Sequence, residues 1–130
     1  MSDAPDESIG TPGWIDLTVE DAPGLRDFYA AVVGWKTEEV PMGDYADFTL
    51  LAPATGEPKA GICHARGSNA DFPPVWMVYF LVADVEASVA QVLERGGACL
   101  LGPKNMGSMG RYAVIRDPAG AICALFETAG

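Results

Sequence analysis

Positive charge is scarce in this chain: lysine and arginine number 8 among 130 residues against 18 aspartates and glutamates, for a formal net charge of −10. Binding a phosphate backbone needs Lys and Arg gathered on one face, and no such cluster exists, so nucleic acid is excluded as a partner. Long apolar runs are also missing. None approaches the roughly 18 to 20 residues of a membrane-spanning helix, and the N-terminus lacks a basic-then-apolar signal pattern. The expectation is a cytoplasmic protein with no membrane partner. Cysteine occurs only at Cys63, Cys99 and Cys123, an odd, widely spaced set that makes neither a disulfide framework nor a C-x-x-C zinc motif. Cys63 and Cys123 lie in apolar strand patterns and read as small hydrophobes. There is a single histidine, His64. No P-loop, dinucleotide-binding glycine pattern or nucleophile elbow is present.

What is present is a repeat. Trp14-Ile15-Asp16-Leu17-Thr18-Val19-Glu20-Asp21 recurs 63 positions later as Met77-Val78-Tyr79-Phe80-Leu81-Val82-Ala83-Asp84, and Gly34 recurs as Gly97. In each copy an alternating strand runs into an Asp suited to cap a helix, and a glycine ends that helix. The first helix has Leu25, Phe28, Tyr29, Val32 and Val33 at helical spacing, and the second has Val85, Val89, Val92 and Leu93. Strands are predicted at about 36–40, 45–51 and 59–65, then near 98–101, 111–115 and 121–126. The plan is strand, helix and three strands, performed twice. Residues 1–12 read as a mobile leader, 13–65 as unit one, 66–74 as a linker and 75–128 as unit two of a single domain. The fold class is α+β: two tandem βαβββ units forming a cup-shaped, mostly antiparallel eight-stranded sheet with helices outside.

Two segments carry a family resemblance. Asp21 to Trp35 reads D-x-P-G-L-R-D-F-Y-x-x-V-x-G-W, and Gly110-Arg111-Tyr112-Ala113-Val114 leads to Asp117-Pro118-x-Gly120. With the repeat, they make the chain resemble the vicinal oxygen chelate superfamily, which includes glyoxalase I, extradiol dioxygenases, fosfomycin-modifying enzymes and bleomycin-binding resistance proteins. The detail is most similar to a bacterial hydroxylase-like, glyoxalase-related branch. The resemblance implies metal ligands (His, Gln or Glu) from the first and last strand of each unit, facing into the cup. Aligning Ile62-Cys63-His64 with Ile122-Cys123-Ala124 gives the four positions as Trp14, His64, Met77 and Ala124. Trp and Ala cannot ligate, and a Met thioether is too soft for hard divalent ions. Only His64 could ligate, where a catalytic site usually needs about three protein ligands. No cofactor is therefore expected, with a divalent metal disfavoured. Relatives of this size also imply a homodimer.

Strand alternation places Trp14, Asp16 and Thr18 in the cup, and likewise Met77, Tyr79 and Leu81. Ile62, His64, Ile122, Ala124 and Phe126 are expected there from the last strands, with Arg111, Ala113 and Ile115 beside them. Trp14, Asp16, His64, Met77, Tyr79, Arg111, Ala124 and Phe126 are the candidate ligand-binding residues. Several of them have two readings. Trp14 either stacks on a flat ligand or fills space a metal once held. Asp16 either acts as acceptor or base, or is solvated at the strand edge. Arg111 either meets an anion or pairs with a nearby carboxylate. Met106–Gly110 is either a lid or a plain hairpin tip. Glu38, Glu39, Asp44 and Asp47 read as a solvated face. The leading expectation is a metal-free binder of a small apolar or aromatic molecule. The alternatives are an enzyme of lyase, isomerase or dioxygenase type, with an atypical metal site or acid–base chemistry at Asp16, His64 and Tyr79, and an interaction module whose cup is filled by its own side chains.

Overall fold

The computed structural model describes residues 6–129, apart from the side chain of Ser68. They form two compact units, Trp14–Trp76 and residues 77–129 together with 6–13. Each is a four-stranded sheet with one helix.

The first unit holds β1 (Pro12–Val19, from Trp14 onward), α1 (Ala22–Val33), β2 (Lys36–Pro41), β3 (Ala46–Leu51) and β4 (Pro58–His64), in the spatial order β2-β3-β4-β1. β1 and β4 are parallel and the other pairs antiparallel. Helix α1 starts where expected. The Asp21 carboxylate accepts from the Gly24 N–H at 3.0 Å, and Gly34, at φ 89°, closes the last turn by donating to Ala30 O. Ile15, Leu17 and Val19 pack toward the helix with Phe48, Leu50, Ala60 and Ile62.

The second unit repeats the design with β5 (Trp76–Leu81), α2 (Val85–Glu94), β6 (Ala98–Asn105), β7 (Gly110–Arg116) and β8 (Ile122–Thr128), in the order β5-β8-β7-β6. Again one pair, β5–β8, is parallel. Two carboxylates hold the first turn of α2: Asp84 accepts from Glu86 and Ala87, and Glu127 accepts from the Val85 N–H at 2.9 Å. Val85, Val89, Ala113, Ile115 and Leu125 form its core. The α+β class and the doubled βαβββ plan are thus as the sequence implies.

Three expectations change, and at Met106–Gly110 the hydrogen bonding of one of the two readings is seen. Of the leader, residues 1–5 lie outside the described residues, but Gly10 donates to Leu81 O and Thr11 O accepts from Leu81 N–H, at 2.8 and 2.9 Å, so the chain is tied to β5 before β1 begins. The unit boundary falls between Trp76 and Met77, and the expected linker belongs to the first unit. There Gly67–Asn69 forms a 3₁₀ turn, with Asn69 Oδ1 accepting from Arg66 N–H. The helical stripes are only partly inward: Phe28, Val32, Val33 and Leu93 are exposed. The Met106–Gly110 segment is a closed hairpin tip, tied by Met106 N–H to Gly110 O at 2.7 Å and Met109 N–H to Met106 O.

Candidate functional site

Each sheet has one face under its helix and one that its helix does not cover. The latter is termed the open face, although Thr18, Gly61, Met77, Val114 and Ala124 on it are buried. The strand register decides which side chains reach it. In the first unit β1 and β4 pair with Leu17 opposite Ile62. Both are buried in the α1 core. Their neighbours must point the other way, because successive strand residues alternate. The open face therefore carries Trp14, Asp16 and Thr18 from β1, as expected, with Gly61 and Cys63 from β4.

The Trp14 indole lies over Gly61. A Cβ built at position 61 would stand 3.4 Å from Asp16 Cβ, 3.5 Å from Trp14 Cζ2 and 3.6 Å from Trp14 Nε1. The ring thus covers the spot from which any side chain at 61 would project. Next along β4, the Cys63 thiol is pushed up to about 12, first by burial and then by the Asp16 and Asp47 carboxylates. It stays protonated at neutral pH and is no nucleophile.

His64 is not on this face. It stands opposite Val19 in the parallel ladder, on the side of Ile62 and the helix. Its ring meets Tyr45 edge-on at 5.1 Å and lies 6.2 Å from Phe48. One oxygen of Asp47 holds it twice, accepting from the His64 backbone N–H at 2.9 Å and facing Nδ1 at 3.1 Å. Ile62 is likewise a core residue, and Asp47, expected on a solvated face, is mostly buried. The cause is a register slip: the expectation aligned the last strands 60 residues apart, whereas the first strands repeat at 63. In the structure Asp16 pairs with Gly61 and Tyr79 with Ala124, so the offset of 63 holds through the last strand too. The counterpart of Ala124 is Gly61.

In the second unit Tyr79, Ala124 and Val114 share the open face, as do Phe126 and Tyr112. Met77 falls on it by alternation and is buried. The rings of Tyr79 and Tyr112 are 6.4 Å apart, tilted by 41°. Tyr112 was missed from the sequence because Tyr112-Ala113-Val114-Ile115 is apolar throughout and shows no alternation. The turn sets Arg116 opposite Ile122, which puts Arg111, Ala113 and Ile115 under the helix instead of on the open face. There Arg111 Nη2 donates to Glu86 of α2 at 2.7 Å, so its carboxylate-pairing reading is the one realised. Trp76, whose Nε1 donates to Tyr29 OH at 3.1 Å, is a packing residue of the first unit.

With the register corrected, the four positions at which the resemblance expects metal ligands are Trp14, Gly61, Met77 and Ala124. None offers a donor suited to a hard divalent ion. No group of three or more His, Cys, Asp or Glu side chains among the described residues is placed to hold a metal. The residues present do not fit a divalent centre.

Comparison with known proteins adds the following. The model of the Glyoxalase/Bleomycin resistance protein/Dioxygenase superfamily matches residues 11–124. CFP32 of Mycobacterium tuberculosis, a glyoxylase by name, is 33% identical over 119 residues, covering 91% of this chain and 46% of that protein. The anthracycline biosynthesis protein DnrV of Streptomyces peucetius is 32% identical over 129 residues, covering 91% and 47%. This chain therefore spans about half the length of these relatives. Among solved structures, methylmalonyl-CoA epimerase from Mycobacterium tuberculosis superposes with a TM-score of 0.61 at 15% identity, over 98% of this chain and 95% of that one. That likeness is one of fold.

Proposed function

The chain belongs to the Glyoxalase/Bleomycin resistance protein/Dioxygenase superfamily, and from that premise we propose that it binds a flat aromatic small molecule on its open faces without a divalent metal. The observation that carries this reading is the Trp14 indole lying over Gly61. Two family ligand positions are there occupied by an aromatic plane and a residue with no side chain. An indole offers stacking area where an enzyme of the family would offer donor atoms. The tilted pair of Tyr79 and Tyr112 gives the second unit an open face of the same character. A relative named for anthracycline biosynthesis supports a fused-ring ligand class.

The test is a fluorescence titration with a hydroxylated anthraquinone, read as quenching of tryptophan emission. Saturable quenching is expected, weakened by about tenfold or more in Trp14→Ala, which is the loss of about 1.4 kcal/mol of stacking. Unchanged affinity in Trp14→Ala would overturn the reading. Elemental analysis after reloading with nickel or zinc tests the metal-free part, and a stoichiometric metal would refute it. One feature favours an acid–base enzyme as the second reading, the Asp16 carboxylate beside Cys63 on the open face. Turnover that disappears in Asp16→Asn would establish it.

A further inference from the structure

On the helix side of the second unit, α2 and the β7–β8 turn border a surface cavity of about 340 Å³. Small-molecule sites begin at roughly this size. Ser88, Gln91, Val92 and Arg95, one face of α2 and its C-cap, form a wall, and Ile115 and Leu125 form the floor.

The internal repeat shows what fills this place in the first unit. Moving 63 residues back turns Ser88, Gln91, Val92 and Arg95 into Leu25, Phe28, Tyr29 and Val32, and Ala98 into Trp35. Ile115 and Leu125 correspond in register to Leu50 and Ile62. Over that floor the first unit packs Leu25, Tyr29, Trp35 and Trp76. The rings of Tyr29, Trp35 and Trp76 stand 5.0, 6.0 and 6.3 Å apart. In the second unit Ser88, Val92 and Ala98 are much smaller, and the cavity is what they leave uncovered.

Two features select an occupant. The first is shape. The first unit covers the equivalent floor with flat aromatic rings, so an aryl group from outside suits the same apolar surface here. The second is charge, because Arg95 stands exposed at the rim where the first unit has Val32. Its Nε donates to Gln91 Oε1 at 2.9 Å, and among the described residues no carboxylate pairs with it. Glu94 accepts from Gln91 Nε2 instead, at 3.1 Å. Asp117, the acid in the lining, has Oδ1 directed into its own turn, accepting from the N–H groups of Ala119 and Ala121 at 2.9 Å. A guanidinium oriented through Nε and carrying no ion pair matches a carboxylate in forked geometry.

We infer that this cavity is a second binding site, for a planar aryl carboxylate with its ring on Val92, Ile115 and Leu125 and its carboxylate on Arg95. The site is separate from the open faces, because Ile115 and Leu125 lie on the opposite side of the sheet from Tyr79 and Ala124. A net charge of −10 opposes anions at large, so one guanidinium gives weak binding, with Kd on the order of 1 mM.

Amide shifts in a proton–nitrogen correlation spectrum, followed during titration with naphthoate, test the assignment. Saturable shifts are expected at Ser88 to Gly97 and at Ile115 to Asp117, with the neutral naphthamide binding about tenfold more weakly. Arg95→Gln, a change at an exposed position, should lower naphthoate affinity by about tenfold and leave that of naphthamide within about twofold. Ser88→Leu combined with Val92→Tyr brings in the side chains of the first unit and is expected to abolish the shifts for both compounds. If that double variant loses its folded spectrum, Arg95→Gln and the naphthamide comparison decide. Trp14→Ala should leave the α2 shifts as they are, so this site and the open-face reading stand or fall separately. No saturable shift along α2, or shifts that persist in a folded double variant, would overturn the site. Equal loss of both compounds in Arg95→Gln would overturn the carboxylate assignment.

Discussion

Asp16 stands directly opposite Gly61 in the parallel pairing of β1 with β4, and the same separation of 45 residues sets Tyr79 opposite Ala124 in the second unit. Gly61 thereby faces the Trp14 ring, with space for a methyl group but little more. Glycine in a strand costs about 0.5–1 kcal/mol relative to alanine. Gly61→Ala is therefore expected to raise stability by about that amount in urea denaturation, with Trp14 emission unchanged. Gly61→Leu should instead displace the indole and shift its emission toward the red. Identical emission in the leucine variant would show that the ring does not lie over position 61.

Asp47 and His64 form a structural pair between β3 and β4. Removing the carboxylate in Asp47→Ala leaves the His64 backbone N–H without its acceptor, which costs about 1–3 kcal/mol for a buried group. Asp47→Asn keeps an acceptor oxygen and is expected to lose less than half of that. Because His64 lies on the helix side, His64→Ala should leave aromatic-ligand affinity within about twofold, a change below 0.5 kcal/mol. A collapse of binding in His64→Ala would return the histidine to the site.

Why His64 misleads in sequence is a matter of strand physics. A slip of one residue exchanges the two faces of a strand, and Ile62-Cys63-His64 offers little periodicity to fix the phase. The repeat offset of 63, visible at Trp14 and Met77, held the answer, since it maps Ala124 onto Gly61. A glycine carries no chemistry and so draws no attention. The same weakness affects Arg111 and Tyr112, where four apolar residues in a row hide the alternation. By contrast, capping aspartates and terminal glycines have strong local physics. Asp21, Asp84 and Gly34 were legible for that reason, and so were the doubled unit and the face of Trp14, Asp16 and Tyr79.

Gly24 is an exception to the usual gain from filling a helical glycine. Alanine is normally about 1 kcal/mol better in a helix interior. Here a Cβ at position 24 would collide with the Asp21 carboxylate, the group that accepts from the Gly24 N–H. The new methyl and the N-cap cannot both keep their places, and losing a cap costs about 0.5–2 kcal/mol. Gly24→Ala is expected to change stability by less than about 0.5 kcal/mol, the two effects offsetting. In an Asp21→Ala background the same substitution should recover its full helical gain. A double-mutant cycle in urea reads the coupling directly, and strict additivity would show that the carboxylate does not crowd position 24.

The Cys63 thiol gives the protein an alkaline liability. Its ordinary value is near 9, and burial chiefly, aided by Asp16 and Asp47, raises it to about 12 in the folded chain. Above pH 9 the unfolded chain therefore releases a proton that the folded chain retains, and proton release favours unfolding. Stability is fully present below the unfolded value and falls between about pH 9 and pH 12, by at most about 1.4 kcal/mol per pH unit. Cys123 is pushed up as well, by burial and by Asp117, so it adds in the same direction. Cys63→Ala should flatten the decline in denaturation midpoint over this window while leaving stability at pH 7 to be set by the lost sulfur packing alone. Iodoacetamide at pH 8 gives a second reading, because only thiolate reacts. Labelling of Cys63 is expected to wait for unfolding, and prompt labelling in the native protein would contradict its burial.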